Sequence, residues 1–479
     1  MMYDEKIELL IDGKWRLAGD GKVRDLVNPA TEEVLGTVPL CNDADLAEAT
    51  EAAARGFAVW KKMTAVQRYA IMMKAAALID ERKDRIGRLL TMENGKPLAE
   101  AVPEVQFGAE VTRWYAEEGK RAYGRIVPAR MPGVRQMVFK EPVGPVVAFA
   151  AWNFPSGNVV RKIAGALGAG CSIVVKPAEE TPGTAVAIAR CFQDAGLPDG
   201  VLNVVFGDPD HVSSTLLKSP VFKKVTLTGS TEIGKLLQKR SADTLKRATM
   251  ELGGHAPVIV HADADLDLAI NTLVAFKFRN AGQVCTSPTR FFIHESIFSA
   301  FVEGFVAKAK TIVVGNGLEA GVQMGPMIAE RRLGVMEAFV EDAVSKGATV
   351  ALGGKRMTNQ GYFFQPTVLT DVPDDARILT EEPFGPIAPL MPFSSFDEVI
   401  ERANALPYGL ASFCFTRSGS LAARTEEALD AGLVGVNHMA VSTPETPFGG
   451  VNESGFGSES GMEGLEAFQR TKFVTEFAL

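Results

Sequence analysis

The chain has 479 residues, too many for one ordinary core, so two or three packed units of about 100 to 200 residues are expected. Hydrophobic residues at 46% and charged residues at 23% exclude a largely disordered or collagen-like chain. The formal net charge of −8 disfavours nucleic acid as a partner, and no run of about 18 uncharged apolar residues suggests a membrane span.

The opening residues carry acids and lack the basic-then-apolar order of a signal peptide, so a cytoplasmic location is expected. IELLIDG reads as a strand, followed by a turn-rich segment. Residues 43 to 122 then read as helices rich in Ala, Glu, Lys and Leu, with Asp43 a candidate cap for the first and Gly95 a natural stop for DERKDRIGRLLTMENG. From about 144 to 260 short apolar runs (PVVAFAAW, CSIVVKP, VLNVVF, KKVTLTG, APVIVH) alternate with helical stretches, the pattern of a doubly wound parallel sheet that takes ligands beyond the carboxyl ends of its strands. A second alternating set from about 261 to 437 (RFFIHE, FQPTVLTDV, IAPLMPFSS, ASFCFT, GLVGVN) implies a second α/β unit. The segment 123–143 and the tail FQRTKFVTEFAL read as strands without a home in either unit, which suggests an arm that pairs elsewhere.

Five cysteines, Cys41, Cys171, Cys191, Cys285 and Cys414, are scattered without a CxxC pair, and the five histidines form no HExxH, so neither a disulfide framework nor a metal site is expected. Side chains and an organic cofactor would have to carry any chemistry. Cys285, in KFRNAGQVCTSPTRF, sits where Gly282 and Pro288 break helical continuity, so its thiol is expected on a turn; it reads either as a nucleophile or as a small buried hydrophobe. A nucleophilic thiol needs a base, because free cysteine has a pKa of about 8.5. Glu251 in ATMELGGHAP is a candidate base if its burial raises its pKa, and otherwise a turn residue. Asn153 in AAWNFP follows an apolar strand, where its amide could donate to an oxyanion, or simply close an Asx turn. Gly229 and Gly234 flank a strand-to-helix turn with Ser230 and Thr231 at the cap, a place for a pyrophosphate, although GxxxxG alone is a weak signal. Lys176 and Glu179 end another strand, as ribose ligands or as a solvated ion pair.

Taken together, AAWNFP, VVKPAEETP, LTGSTEIG, MELGGHAP, FRNAGQVC, EEPFGP and PFGGVNESG occur in the order and approximate spacing of the aldehyde dehydrogenase superfamily, and the resemblance covers nearly the whole chain. Within it the sequence looks most like bacterial succinate semialdehyde and 2-oxoglutarate semialdehyde dehydrogenases. The resemblance implies two Rossmann-like α/β domains plus a small β arm. Residues 1–122 and 144–251 would bind NAD, 252–437 would carry catalysis, 438–459 would form a substrate-tunnel loop, and 123–143 with 460–479 would form the arm of a homo-oligomer, dimer or tetramer. It implies Cys285 as nucleophile, Asn153 as oxyanion donor, Glu251 as the base for hydrolysis, and Lys162 in support. Trp152, Lys176, Glu179, Gly229, Ser230, Glu382 and Phe384 would hold the cofactor, with Glu179 favouring NAD over NADP, which could still be used weakly. Arg161 and Arg279, assisted by Ser454, would hold the distal carboxylate of a semialdehyde. Phe154, Trp114, Thr286 and Phe448 would border the tunnel, and Ser287 replaces a second cysteine found in some relatives. Succinate semialdehyde is the expected substrate; 2-oxoglutarate semialdehyde, glutarate semialdehyde and broad specificity stay open, as do a thiol esterase and a silent relative.

Overall fold

The computed structural model describes residues 3–357 and 360–477; residues 1, 2, 358, 359, 478 and 479, which fall within the expected ranges 1–122, 252–437 and 460–479, lie outside the described residues. The helical stretch resolves into Asp43–Trp60, Ala65–Glu81, Lys83–Asn94 and Leu98–Lys120. The cap of the first is Asn42 rather than Asp43. Asn42 Oδ1 accepts from the Asp45 amide at 3.0 Å while the Asn42 amide donates to Asp45 Oδ2 at 3.0 Å, a reciprocal box that Asp43 is one residue too late to make. The third helix stops at Gly95, whose φ of 91° is the left-handed value that glycine tolerates.

The first unit is an eight-stranded sheet in the order Lys14–Arg16, Leu9–Ile11, Leu202–Val204, Ile173–Lys176, Val146–Phe149, Lys224–Thr228, Arg247–Glu251, Gly455–Phe456. Its five inner strands are parallel, and Val146–Phe149 and Ile173–Lys176 are buried along their whole length, as strands covered on both faces must be. Successive strands move outward from Val146–Phe149 in one direction, then resume on its other side at Lys224–Thr228. The crevice between the carboxyl ends of these two strands is where such a sheet binds ligands. Both loops leaving it, one through Asn153 and one through Ser230, carry candidate residues.

The second unit is a seven-stranded sheet in the order Thr349–Leu352, Thr367–Thr370, Ile387–Phe393, Pro288–His294, Ala256–Val260, Ala411–Phe415, Leu433–Val436, parallel except at its first edge. APVIVH, grouped with the first apolar set by composition, belongs here. Each unit has its own hydrophobic core. The third expected piece is a three-stranded antiparallel sheet in which Gln469–Phe477 pairs along its whole length with Val134–Pro142, and Arg125–Val127 takes the other side. The architecture is thus two doubly wound α/β units with a β arm. Among the described residues no helix is long and apolar enough to cross a membrane, and no group of three or more His, Cys, Asp or Glu side chains could hold a metal ion.

Candidate active site

Helix Leu266–Phe278 ends just before Cys285, and the chain then makes an unusual turn in which Asn280, Ala281 and Gly282 all have positive φ, 47°, 53° and 71°. Two non-glycine residues in that region cost strain, so the turn must be held from outside. Glu100 Oε2 accepts from the Asn280 amide at 3.0 Å, and Gln283 Nε2 donates to Asn280 O at 3.1 Å and Pro326 O at 3.3 Å, while Gln283 Oε1 accepts from the Ile328 amide at 2.9 Å. A side chain at Gly282 would collide with the Gly385 carbonyl. The turn delivers Cys285, half-buried, to the wall of a cavity of about 420 Å³.

Asn153 approaches the same turn from the first sheet. Its Nδ2 donates to Gln283 O at 3.3 Å and its Oδ1 accepts from Asn158 Nδ2 at 3.0 Å, so the amide nitrogen faces the cysteine loop with one hydrogen to spare. Glu251, the last residue of its strand, lines the cavity, and neither of its carboxylate oxygens has a hydrogen-bond partner among the described residues. Burial, reinforced by the nearby Glu459 carboxylate, holds Glu251 well above the ordinary carboxylic range, with Lys162 and Arg161 opposing. Lys162 is fully buried; its ammonium donates to Glu459 Oε1 at 2.5 Å and Thr228 Oγ1 at 2.7 Å. Burial pushes the Cys285 thiol up to about 12, with the Glu382 carboxylate adding to the rise and Arg161 counteracting it. Without a further positive charge the thiol is therefore neutral near pH 7, and a base must take its proton on attack.

The cofactor candidates collect at the carboxyl edge of the first sheet. Ser230 caps helix Thr231–Ala242, as its place after Gly229 suggested, so the opening turn of that helix faces the crevice, a geometry suited to a pyrophosphate. Lys176 and Glu179 form a buried ion pair at the end of Ile173–Lys176, and Glu179 Oε1 also accepts from the Gly207 amide at 3.4 Å. Trp152 meets Phe384 edge-on, with ring centroids 5.5 Å apart. Glu382 reaches across from the second unit; the Gly254 amide donates to its Oε1 at 3.2 Å, and a side chain on Gly253 would crowd its Oε2. Burial raises Glu382 to about 7. A capped helix start, a carboxylate at a strand end and a second carboxylate beside two glycines are a donor and acceptor set that fits a nicotinamide dinucleotide.

Arg161 and Arg279 line the cavity that Cys285 and Glu251 share. Among the described residues neither forms an ion pair within 4 Å of a carboxylate, and the Nε of each is buried without an acceptor. Arg161 donates to Ser442 Oγ and lies over the rings of Phe448 and Phe107, 4.6 and 5.2 Å from their centroids. Arg279 lies over Phe154 and Phe276 at 5.2 and 5.3 Å. Phe154, Thr286 and Phe448 border the cavity as expected, whereas Trp114 does not. Ser454 also stands apart. Its hydroxyl donates to Gly253 O at 2.7 Å and accepts from the Gly409 amide at 3.0 Å, so it ties the segment 438–459 to the second unit, and Ser442 is the hydroxyl beside the Arg161 guanidinium. Ser287 is buried next to Pro288. Ser442, Phe107 and Glu459 escaped the sequence reading because they lie on separate loops and helices that only folding assembles.

The second sheet contributes to this site from its amino edge: Gly253 and Gly254 precede Ala256–Val260, Cys285 precedes Pro288–His294, and Glu382 precedes Ile387–Phe393. The carboxyl ends of one sheet thus face the amino ends of the other across one crevice, which brings thiol, carboxylate, amide and the cofactor candidates together. Residues 15–474 match the aldehyde dehydrogenase family model. The chain is 47% identical to 4-(hydroxymethyl)benzenesulfonate dehydrogenase TsaD1 of Comamonas testosteroni over 98% of this chain and 97% of that one. It is 44% identical to 3-sulfolactaldehyde dehydrogenase of Pseudomonas putida over 98% and 96%. The crystal structure of succinate-semialdehyde dehydrogenase from Burkholderia pseudomallei superposes with a TM-score of 0.98 at 42% identity, over 99% of this chain and 98% of that one. With the family pattern running through both sheets and the thiol site between them, the chain belongs to the aldehyde dehydrogenase family.

Proposed function

We propose that this enzyme oxidises an aldehyde bearing a distal anionic group to the corresponding acid, with succinate semialdehyde as substrate and NAD as electron acceptor. The observation that carries the reading is the pair of guanidiniums, the buried Arg161 and the partly buried Arg279, that line the cavity of Cys285 and Glu251 with no carboxylate partner among the described residues. A cation at a cavity wall with no carboxylate beside it favours an anion there, and an anionic substrate tail would meet the guanidiniums with charge-assisted bonds.

With the tail so held, Cys285 Sγ bonds to the aldehyde carbon as Glu251, in its ionised form, takes the thiol proton and passes it to solvent, and the carbonyl π pair moves to the oxygen, whose negative charge lies next to Asn153 Nδ2. Such a donor is worth about 3 to 4 kcal/mol in other enzymes. A nicotinamide bound in the crevice supplies the acceptor for the hydride that turns the thiohemiacetal into a thioester. Glu251, once ionised, takes a proton from water; the hydroxide adds to the thioester carbon, the C–S bond breaks, and the acid and the Cys285 thiol are released. Beside Glu251 the Lys162 ammonium favours its ionisation and the Glu459 carboxylate, paired with Lys162, opposes it.

Glu179 supports NAD over NADP, because a buried carboxylate accepts from a ribose 2′-hydroxyl but repels a 2′-phosphate. In the same reading residues 1–122 and 144–251 form the cofactor unit, 252–437 the catalytic unit and 438–459 the tunnel loop. Segments 123–143 and 460–479 form an arm that joins chains into a dimer or tetramer, supported by exposed Ile126, Phe139, Phe473 and Phe477 on its strands. A cytoplasmic location accords with five free cysteines.

A second reading replaces the carboxylate by a sulfonate. It is favoured by the aromatic lining of Phe107, Phe154 and Phe448 in a cavity of about 420 Å³, roomy enough for a ring, and by the sulfonates in the names of the two relatives above. The test is a panel of kcat/KM values for succinic, glutaric and 2-oxoglutaric semialdehydes, 3-sulfolactaldehyde, 4-formylbenzenesulfonate and butanal, each with NAD and NADP. Anionic aldehydes should lead. Butanal turning over as well as all of them would sink the proposal.

A further inference from the structure

The strand that leads into Asn153 crosses from the first sheet to helix Pro155–Ala169 without a side-chain cap of its own: Phe154 occupies the cap position and makes no capping bond. Helix openings leave amides to be satisfied, and an oxyanion donor must be held to within a fraction of an ångström. Both needs are met by the turn 94–96 and by the helix that follows it.

Asn94 Nδ2 donates to Trp152 O at 3.0 Å, and Lys96 Nζ donates to the next carbonyl, Asn153 O, at 2.8 Å. Asn280 Nδ2 donates to the same Asn153 oxygen at 3.0 Å, so the peptide of the oxyanion residue is clamped between this turn and the cysteine turn. Lys96 also donates to Glu104 Oε2 at 2.6 Å, and Glu104 Oε1 accepts from the amides of Ser156 at 2.9 Å and Gly157 at 3.2 Å, supplying the cap that Phe154 cannot. The Lys96 ammonium sits 4.0 Å from the centre of the Phe154 ring. Lys96 is 1% exposed, and a side chain at either Gly317 or Gly325 would collide with the carbonyls of its turn, so the ammonium is aimed from a rigid base.

We propose that Lys96, charge-balanced by Glu104, is the positioning residue of the oxyanion donor: it fixes the Asn153 peptide and thereby the direction of the Asn153 amide toward Cys285. Lys96 acts through Asn153 rather than on the reacting atoms. The inference goes beyond the proposed substrate and uses aldehyde oxidation only as one of two readouts.

The test is a double-mutant cycle. Lys96→Met combined with Glu104→Gln removes the ammonium without stranding a buried carboxylate, and it is placed in the native and the Asn153→Ala backgrounds. Acylation of Cys285 by 4-nitrophenyl acetate without cofactor is followed by the nitrophenolate burst, and aldehyde oxidation by NADH formation. The burst needs the thiol, its base and the oxyanion donor but neither the cofactor nor an anionic substrate tail, so it reports on Lys96 even if the substrate proposal fails. In the native background both rates should fall roughly 10- to 100-fold, short of the 10²- to 10³-fold cost of losing an oxyanion donor outright. In the Asn153→Ala background the same pair should change the burst by less than about twofold, the mark of residues acting as one unit. NAD affinity by fluorescence quenching should stay within about twofold. An equal loss in both backgrounds, no loss in the native one, or a pair variant unable to fold would each overturn the proposal by making the role purely one of stability.

Discussion

Replacing Arg161 or Arg279 by methionine keeps an apolar stem against the phenyl rings and removes the charge. A hydrogen bond to a charged group contributes about 1.5–3 kcal/mol. At about 1.4 kcal/mol per decade, each loss should lower kcat/KM for succinic semialdehyde about 10- to 150-fold. The two arginines differ in what else they do. Arg161 lowers the pKa of both Glu251 and Cys285, so Arg161→Met should also slow a neutral aldehyde below the raised pKa of the base. Arg279 acts on Glu100 and Lys96 instead, and its loss should leave butanal nearly untouched. The quantity to measure is therefore the ratio of kcat/KM for succinic semialdehyde to that for butanal at fixed pH, in which the shared effect on the thiol and its base cancels. A drop of about tenfold or more in that ratio for each variant is expected. An unchanged ratio in both would mean that neither guanidinium meets the substrate, and the anionic tail would have to be withdrawn.

Cys285→Ala should abolish NADH formation while leaving NAD binding intact, checked by quenching of protein fluorescence; with the thiol pushed up to about 12, alkylation of the native enzyme by iodoacetamide should rise about tenfold per pH unit from 7 to 9 without a plateau. Glu251→Gln should slow deacylation more than the first hydride transfer and so produce a burst of NADH; an unchanged steady-state rate would defeat its role as base. Glu251 must be ionised to act, so native deacylation should climb with pH through its raised pKa, a limb that the glutamine variant should lack. The sign for stability is opposite. A carboxyl whose folded pKa is raised favours the fold below its unfolded value near 4.5 and loses that contribution as pH rises through the folded value, so Glu251→Gln should melt higher than native at pH 8 but not at pH 4. Glu179→Gln removes a buried negative charge that a 2′-phosphate would meet and should narrow the preference for NAD by about tenfold, read from kcat/KM with each cofactor.

Asn153, Glu251 and Cys285 were legible because each sits in a local signal, an apolar run broken by Pro155, a glycine pair or Gly282, that marks a strand or helix end exposed to chemistry. The helix stop at Gly95 was equally legible, but it read as scaffold. Nothing local to ENGKP says that Asn94 and Lys96 hold the carbonyls of Trp152 and Asn153, since both bonds join segments more than fifty positions apart. The same distance in sequence hid Ser442 and Glu459, and it made Ser454 look like a substrate ligand when its hydroxyl is consumed by Gly253 and Gly409.

The residue order alone determined the two alternating α/β units, the arm without a home and the family, because buried parallel strands must be apolar throughout and the loops between them carry recognisable chemistry. Tertiary structure decided how the sheets face each other. The first presents its carboxyl ends and the second its amino ends, so the thiol of one meets the amide of the other. It also decided the three consecutive left-handed residues before Cys285, a strained turn held because Glu100 and Asn280 bond across the units and Gln283 braces it against Pro326 within its own. Local propensity argues against such a turn, and only the packed molecule supplies the partners that hold it.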